Sequence, residues 1–452
     1  QGEDIATLKG TGRKVVPKLE RTTQTYTFGG PIIRNKLFFF LNYEKFERIA
    51  APGAPGLLDD NDADMTAFIN RLAQYNTASG QNINWGQSIT GTTFQNTTSD
   101  EKKLAKIDWN ILPGHRLSVR YSITEGSLPQ LGKYQTLNVI NSAGLTSSGA
   151  TALDTHIYTQ QRNEEVWAGT LFNEWTPNFR TELRYTQTSQ DQDTPLSVIA
   201  PEIAVFGVRG INRSGAPITD AAYVAGTEFS RHGNSIFVDS KSYTFFGEYN
   251  FRNFVFTAGY DREESDFFNI FRQGSFGTVV FRNLDDFLND RPADIRRNAY
   301  DPAARGTAAD ISDFANNALY VQAKWDVTSR LTLLGGLRYE FLESDAVPPF
   351  NQAFLTTTGF RNTYTLDGAS QVSPRLSFNY AANEDRTVQV RGGIGHFSGR
   401  TPWVFFSNSF NAPGVGDFTI INSSPAQGSF TEYLRNFDVP AVPAPVTVPP
   451  AP

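Results

Sequence analysis

The stretch ALYVQAKWDVTSRLTLLGGLRYE, residues Ala318 to Glu340, decides how the chain is read. With a period of two, its first half sets Leu319, Val321, Ala323, Trp325 and Val327 on one face, and Tyr320, Gln322, Lys324 and Asp326 on the other. After a break at Thr328, Ser329 and Arg330 the alternation resumes: Leu331, Leu333, Gly335, Leu337 and Tyr339 oppose Thr332, Gly336, Arg338 and Glu340, and Leu334 alone breaks the pattern. Two strands of about ten residues joined by a tight turn predict an antiparallel hairpin, long enough for tilted strands to cross a bilayer. Trp325 falls just before the turn, where an interfacial aromatic belongs.

One such hairpin would suit a soluble sheet equally well. Repetition changes the reading. Thr25 to Phe28 returns through KLFFFLNYEKF, with Leu37, Phe39, Leu41 and Tyr43 opposite Asn42 and Glu44, although Phe38 and Phe40 spoil the polar face. Further copies turn at Leu112, Pro113 and Gly114, at Thr176, Pro177 and Asn178, near Arg252 and Asn253, and at Asn383, Glu384 and Asp385. About a dozen strands result. Connections within hairpins are a few residues long, whereas Arg48 to Ser99, Glu125 to Asn163, Thr188 to Lys241 and Arg262 to Asn317 are far longer than compact soluble domains favour. Short turns on one rim and long loops on the other predict an all-β fold: a transmembrane antiparallel up-and-down β-barrel, partial, with long extracellular loops and short periplasmic turns. Trp109, Trp175, Tyr249, Trp325 and Tyr380 all precede short turns and form the expected interfacial aromatic girdle.

Composition agrees. The apolar fraction is 39%, low for packed helices, while aromatics reach 13% with 36 Phe. No run approaches the length of a membrane helix, which leaves a barrel or a soluble sheet. Cysteine is absent, so neither a disulfide nor a thiolate metal site can form. A net charge of −6 gives no footprint for nucleic acid.

The long connections carry helical signals at Asp64 to Tyr75 and Asn283 to Asp290. The acidic run Asp59, Asp60, Asn61, Asp62 and Asp64 resembles a calcium loop but has Met65 where glycine is needed and Arg71 where glutamate is needed, so helix capping explains it better. His115, His156, His232 and His396 are scattered without metal-type spacing and read as surface or rim residues; neither catalysis, a metal nor a cofactor is expected. Arg116, Arg120, Arg180, Glu182, Arg184, Lys324, Arg338, Glu340, Arg375 and Arg391 lie on the polar face, where they would line a lumen and hold a plug or solvate the wall. The glycines of RGGIGHFSG read as small positions for a close approach.

FGGPIIRNKLFFFLNYE (Phe28 to Glu44), FRNLDDFLNDRP (Phe281 to Pro292), the Ala318 hairpin, and SPRLSFNYAANEDRTVQVRGGIGHF (Ser373 to Phe397) together resemble TonB-dependent outer-membrane receptors, in particular the Oar-like branch. The resemblance implies a cell outer membrane location in a Gram-negative-type bacterium, contact with outer-membrane lipid, and uptake of a bulky solute such as an oligosaccharide, peptide or metal chelate. It also implies a plug domain inside the barrel and a TonB-type energy-coupling protein as partners. An export conduit or surface adhesion protein is the alternative. Residues 1–20 are then expected to be a linker after a missing plug, residues 21–400 a partial barrel short of the roughly 22 strands of plugged transporters, and residues 401–452 a loop and Pro-rich tail.

Overall fold

The computed structural model describes residues 6–7, 14–15, 19–50, 57–89, 96–130, 144–212, 216–232, 234–271, 273–300, 308–399, 401, 403–411, 418–423 and 428–437. Its frame is a twelve-stranded antiparallel sheet in which every strand pairs with its neighbour in sequence. The strands are β1 (Leu19–Ile33), β2 (Leu37–Ala50), β3 (Asn96–Leu112), β4 (His115–Gln130), β5 (Tyr158–Thr176) and β6 (Phe179–Asp193), followed by β7 (Ser235–Phe251), β8 (Phe254–Ile270), β9 (Ala308–Asp326), β10 (Leu331–Glu343), β11 (Ser370–Ala381) and β12 (Gln389–Gly395). The Ala318 hairpin is β9 and β10, in the register that the alternation demands: Val321 faces Leu337 and Tyr320 faces Arg338.

The lower rim is stitched turn to turn. Asn110 N donates to Lys36 O at 2.8 Å, Asn250 N to Asn178 O at 2.8 Å, and Asp326 N to Asn253 O at 2.9 Å. Left-handed backbone is needed at Gly114 (φ 81°), where a Cβ would lie 2.9 Å from Glu174 O. Most strands extend beyond their clear alternation toward the opposite rim; the first begins at Leu19, six residues before the Thr25 start read from the pattern.

Between the long strands the connections, which the sequence predicts to be loops carrying two helices, fold together. Seven short strands form a second sheet in the order Phe418–Ser423, Asp294–Tyr300, Thr278–Phe281, Glu202–Asn212, Pro217–Ala225 and Ala150–Ala152, with Leu57–Asp60 also paired to Glu202–Asn212. Helices Asp62–Ser79, Leu284–Leu288 and Phe430–Arg435 pack on it. The two predicted helices are both present, the first longer at each end. Asn61 caps the first helix by accepting from Asp64 N at 3.2 Å, and Gly80 ends it in the left-handed region. The buried core of this cap includes Phe68, Leu72, Tyr75, Tyr223, Phe281, Phe287 and Phe430; the Tyr75 and Phe430 rings meet edge-on at 4.8 Å. With Leu153 from the connection after β4, segments from five places in the chain share one core.

The stretch after residue 400 differs from a featureless loop. Besides its cap strand and helix it forms the helix Trp403–Asn411, which packs on the inner face of the upper wall: Trp403 stacks on Phe267 at 5.5 Å and meets Phe314 edge-on at 4.7 Å, while Asn269 Nδ2 donates to Ser407 Oγ at 3.2 Å. The Pro-rich Val439 to Pro452 lies outside the described residues.

Candidate functional site

The functional surface is the wall itself, and its two faces follow from strand parity. The outward face carries Phe28, Leu41, Ile107, Leu183, Phe245, Val321, Leu337, Leu376 and Ile394, all exposed; Val321 is 56% exposed and Ile394 80%. An apolar surface running across twelve strands is far beyond what a soluble monomer leaves in water. The expected girdle residues lie at its lower border: Trp109, Trp175, Tyr249, Trp325 and Tyr380 are all exposed there. Trp325 stacks on Phe254 at 5.3 Å, and Trp175 meets His115 edge-on at 5.1 Å while its Nε1 donates to Thr181 Oγ1 at 2.9 Å.

A second aromatic row, not singled out from the sequence, borders the apolar band above. It comprises Tyr26, Tyr43, Tyr121, Trp167, Tyr185, Tyr243, Tyr260 and Tyr339, paired across strands as Tyr26 with Tyr43, Tyr121 with Trp167 at 4.3 Å, and Tyr185 with Tyr243 at 5.2 Å. Along a strand the two rows are six to eight residues apart, for example Tyr243 and Tyr249, or Trp167 and Trp175. That is about 20–27 Å of strand before tilt, in the range of an outer-membrane apolar band. The signal was available: each upper aromatic shares the parity of its lower counterpart. Between the rows the face dips into an apolar trough of about 680 Å³ at Gly247, Ala258, Ala323 and Gly335.

On the inner face, registers place one residue from each of seven neighbouring strands in a single row. Arg116 lies opposite Phe172, Phe172 opposite Glu182, Glu182 opposite Phe246, Phe246 opposite Gly259, Gly259 opposite Tyr320, and Tyr320 opposite Arg338. Arg116 sits over the Phe172 ring at 4.5 Å and Arg338 over Tyr320 at 5.6 Å. Gly259 lets Tyr320 lie flat, since a Cβ there would be 2.4 Å from the Tyr320 hydroxyl.

Most inner charges are neutralised in place. Arg180 pairs with Glu248 at 2.8 Å, Arg184 with Glu182, Lys324 with Asp326 at 3.6 Å, and Arg338 with both Asp261 at 2.8 Å and Glu340 at 3.0 Å. Ser398 also donates to Glu340. Arg116, Arg120, Arg375 and Arg391 make no ion-pair contact among the described residues; Arg375 lies over Phe397 at 4.5 Å, and Arg391 donates to Asn379 Oδ1 at 3.3 Å. Phe38 and Phe40 share the inner parity of Asn42, and Phe40 is exposed. The strand glycines after Arg391 make room for neighbouring side chains: a Cβ on Gly392 would meet the Phe378 ring at 2.8 Å.

Two histidines depart from their expected surface or rim placement. His156 and His232 are each only 2% exposed, at the joint between cap and wall. His156 Nε2 lies 2.9 Å from Glu202 Oε1, and Thr278 Oγ1 donates to the other Glu202 oxygen at 3.0 Å. His232 Nδ1 lies 3.2 Å from Glu228 O, and its buried Nε2 has no partner among the described residues. Burial pushes His232 down to about 4, aided by the nearby His156, and raises the Glu228 carboxyl. His156 is buried against Glu202 and His232 lies edge-on to Tyr158 at 6.0 Å, contacts between segments far apart in the chain, so sequence spacing alone could not reveal their burial. In the cap, Arg209 holds the Asp64 carboxyl below its usual range, with Nε donating to Oδ2 at 2.9 Å. The acidic run thus supplies a helix cap and an ion pair. Among the described residues no group of three His, Cys, Asp or Glu side chains is placed to hold a metal ion.

The family model described as "Outer membrane beta barrel domain" matches residues 57–452. No curated protein matches the chain. Among solved structures, the outer membrane transporter YddB from Escherichia coli is 10% identical with a TM-score of 0.47, over 87% of this chain and 40% of that one. The siderophore receptor PirA from Acinetobacter baumannii is 12% identical with a TM-score of 0.44, over 83% and 40%. The ferric yersiniabactin uptake receptor FyuA from Yersinia pestis is 10% identical with a TM-score of 0.43, over 82% and 45%. The chain spans less than half the length of each of these structures.

Proposed function

The chain belongs to the outer membrane beta barrel domain family, and from that premise we propose that it forms part of the wall of a TonB-dependent transporter, of the Oar-like branch, that admits a bulky solute. Its location is the outer membrane of a Gram-negative bacterium. The observation that carries the transport reading is the contrast between the faces. An exposed apolar band between two aromatic rows is matched, one residue away along each strand, by a polar inner face whose Arg, Lys, Asp and Glu side chains need water or partners.

In this reading Arg180, Glu182, Arg184, Lys324, Arg338 and Glu340 serve the wall, because their charges are already paired within it. Arg116, Arg120, Arg375 and Arg391 retain charge to offer, and would hold carboxylates of a plug domain; a TonB-type protein would energise plug displacement. The outer edges of β1 and β12 pair with no other described strand. In a bilayer their free backbone groups require partners, which further strands of the same barrel would supply. The folded cap favours a second reading, a surface adhesion protein or export conduit, because it presents a built external surface.

The deciding experiment offers labelled oligosaccharides, peptides and metal chelates to cells expressing the protein, with and without the energised coupling complex. Uptake of one class that stops when coupling is lost supports transport. Passive permeation through the purified protein in vesicles, or surface binding without uptake, decides for the second reading.

A further inference from the structure

A cleft of about 670 Å³ opens where the cap overhangs the tops of β3, β4 and β5. Its wall side is made by Asn96, Thr97, Pro129 and Thr159, and its cap side by Asn84, Gln87, Asp154, Ile157 and their neighbours. Thr97, Pro129 and Thr159 have the outward parity of Ile107, Tyr121 and Trp167. The cleft therefore lies on the outer flank, not in the lumen. Pro129 and Thr159 stand eight residues beyond the upper aromatic row, about 26 Å of strand before tilt. That is outside the lipid, at the level of saccharides carried on or near the cell surface.

The lining has one chemistry. It presents the amides of Asn84, Gln87 and Asn96, hydroxyls including those of Thr97 and Thr159, the Asp154 carboxylate and an apolar floor of Pro129 and Ile157, with neither Lys, Arg nor His among the described lining residues. The side chains of Gln87, Asn96, Thr97 and Thr159 make no hydrogen bond to another described residue. Asp154, in contrast, is fixed: its Oδ1 accepts from Gln87 N at 3.0 Å, and its own N donates to Gln87 O at 2.8 Å. This approach needs Gly86, which has φ 82° and whose Cβ would fall 2.0 Å from Asp154 Oδ1. A preset carboxylate oxygen accepts from hydroxyls, amides both donate and accept, and the negative charge of Asp154 disfavours an anionic ligand.

We infer that this cleft is a binding site for a neutral saccharide, engaged through its hydroxyl groups. The inference is independent of the uptake reading, since the site faces away from the lumen. A free oligosaccharide and the saccharide of a membrane glycolipid present the same chemistry, and the test separates them.

Detergent-purified protein is titrated by calorimetry, without any coupling protein, with neutral gluco-, manno- and galacto-hexasaccharides and with their sulfated forms. In parallel, it is mixed with vesicles carrying a neutral glycolipid and with vesicles of the same lipid lacking the sugar. The expected result is binding of at least one neutral hexasaccharide, weakened tenfold or more by Thr159→Trp, which fills the cleft, and by Gln87→Ala, but kept by Thr159→Ser, with the thermal midpoint of each variant unchanged. Binding confined to the glycolipid vesicles, with the same response to the variants, assigns the site to a membrane-borne saccharide. Failure of every neutral sugar and glycolipid to bind, tighter binding of the sulfated forms, or binding indifferent to Thr159→Trp overturns the inference. A transporter that fails to import, but whose flank still binds sugar, refutes only the uptake reading.

Discussion

Residue by residue, the wall's sidedness makes neighbouring positions respond oppositely to the same substitution. Val321 is outward between the aromatic rows and Gln322 is inward. Val321→Arg is expected to destabilise the membrane-inserted protein by about 2–4 kcal/mol, and Gln322→Arg by less than about 1 kcal/mol. Leu333 lies opposite Trp325, at the interface, so Leu333→Arg should fall in between, at about 0–1 kcal/mol above the inward variant. Unfolding titrations in lipid vesicles check the order, and equal costs at Val321 and Gln322 would refute the assigned faces. His232 gives a pH signature. Its folded-state value of about 4 lies below the ordinary 6.5, so an unfolded chain takes up a proton that the folded one refuses as pH falls between these values. Stability is therefore present in full above pH 6.5 and declines toward pH 4, by about 1–3 kcal/mol. The raised Glu228 carboxyl works the other way, binding its proton earlier in the folded state as pH falls, and offsets part of the loss. His232→Gln should flatten the acid limb in unfolding curves run at pH 7 and pH 4.5. An unchanged acid sensitivity would mean that another group sets it.

At the scale of elements, the hairpins were legible because their environment imposes a period of two: lipid on one side and water on the other fix the identity of alternate residues over about ten positions of each strand. Tyr121 and Trp167 carried the upper aromatic row in the same parity, but their place emerges only when registers align strands that are far apart in sequence. The cap was not legible for the opposite physical reason. Ile203, Ala204, Val205 and Phe206 are all buried, as are Ala221 to Ala225, so both faces of these strands are apolar and no alternation marks them. Helix Asp62–Ser79 could be seen because it has a cap residue, acidic residues in its first turn and helical spacing, whereas Trp403–Asn411 carries no charged residue to mark either end. The inner row has a similar limit: Gly259 looks like a weak point in a strand until Tyr320 is found lying across it. Gly259→Val should displace that ring and cost about 1–3 kcal/mol. In a Tyr320→Ala background the same substitution should cost measurably less, and a double-mutant cycle with no coupling would show that the ring does not need the space.

For the whole molecule, the important question is whether the cap is a set of loops or a single body carried by the wall. Its core is discontinuous: Leu72 and Tyr75 come from the connection after β2, Tyr223 from that after β6, Phe281 and Phe287 from that after β8, and Phe430 from beyond β12. Tyr75 Oη donates to the Phe287 carbonyl, and Gln81 Nε2 donates to Leu434 O at 2.9 Å, so neighbours in space are hundreds of residues apart in the chain. Removing one such side chain should loosen every contributing segment at once. Leu72→Ala opens a cavity in this core at a cost of about 2–5 kcal/mol. Hydrogen exchange is then expected to show residues 62–79, 202–212, 217–225, 278–288 and 430–435 losing protection together, while amides of β7 to β10 between the aromatic rows keep theirs, because lipid and wall pairing hold them independently. Loss confined to residues 62–79 would show that the loops act separately, and loss extending through the wall would show that cap and barrel form one cooperative unit. Only a cap that opens as one body, over strands that stay closed, can change what reaches the mouth without dismantling the wall beneath it.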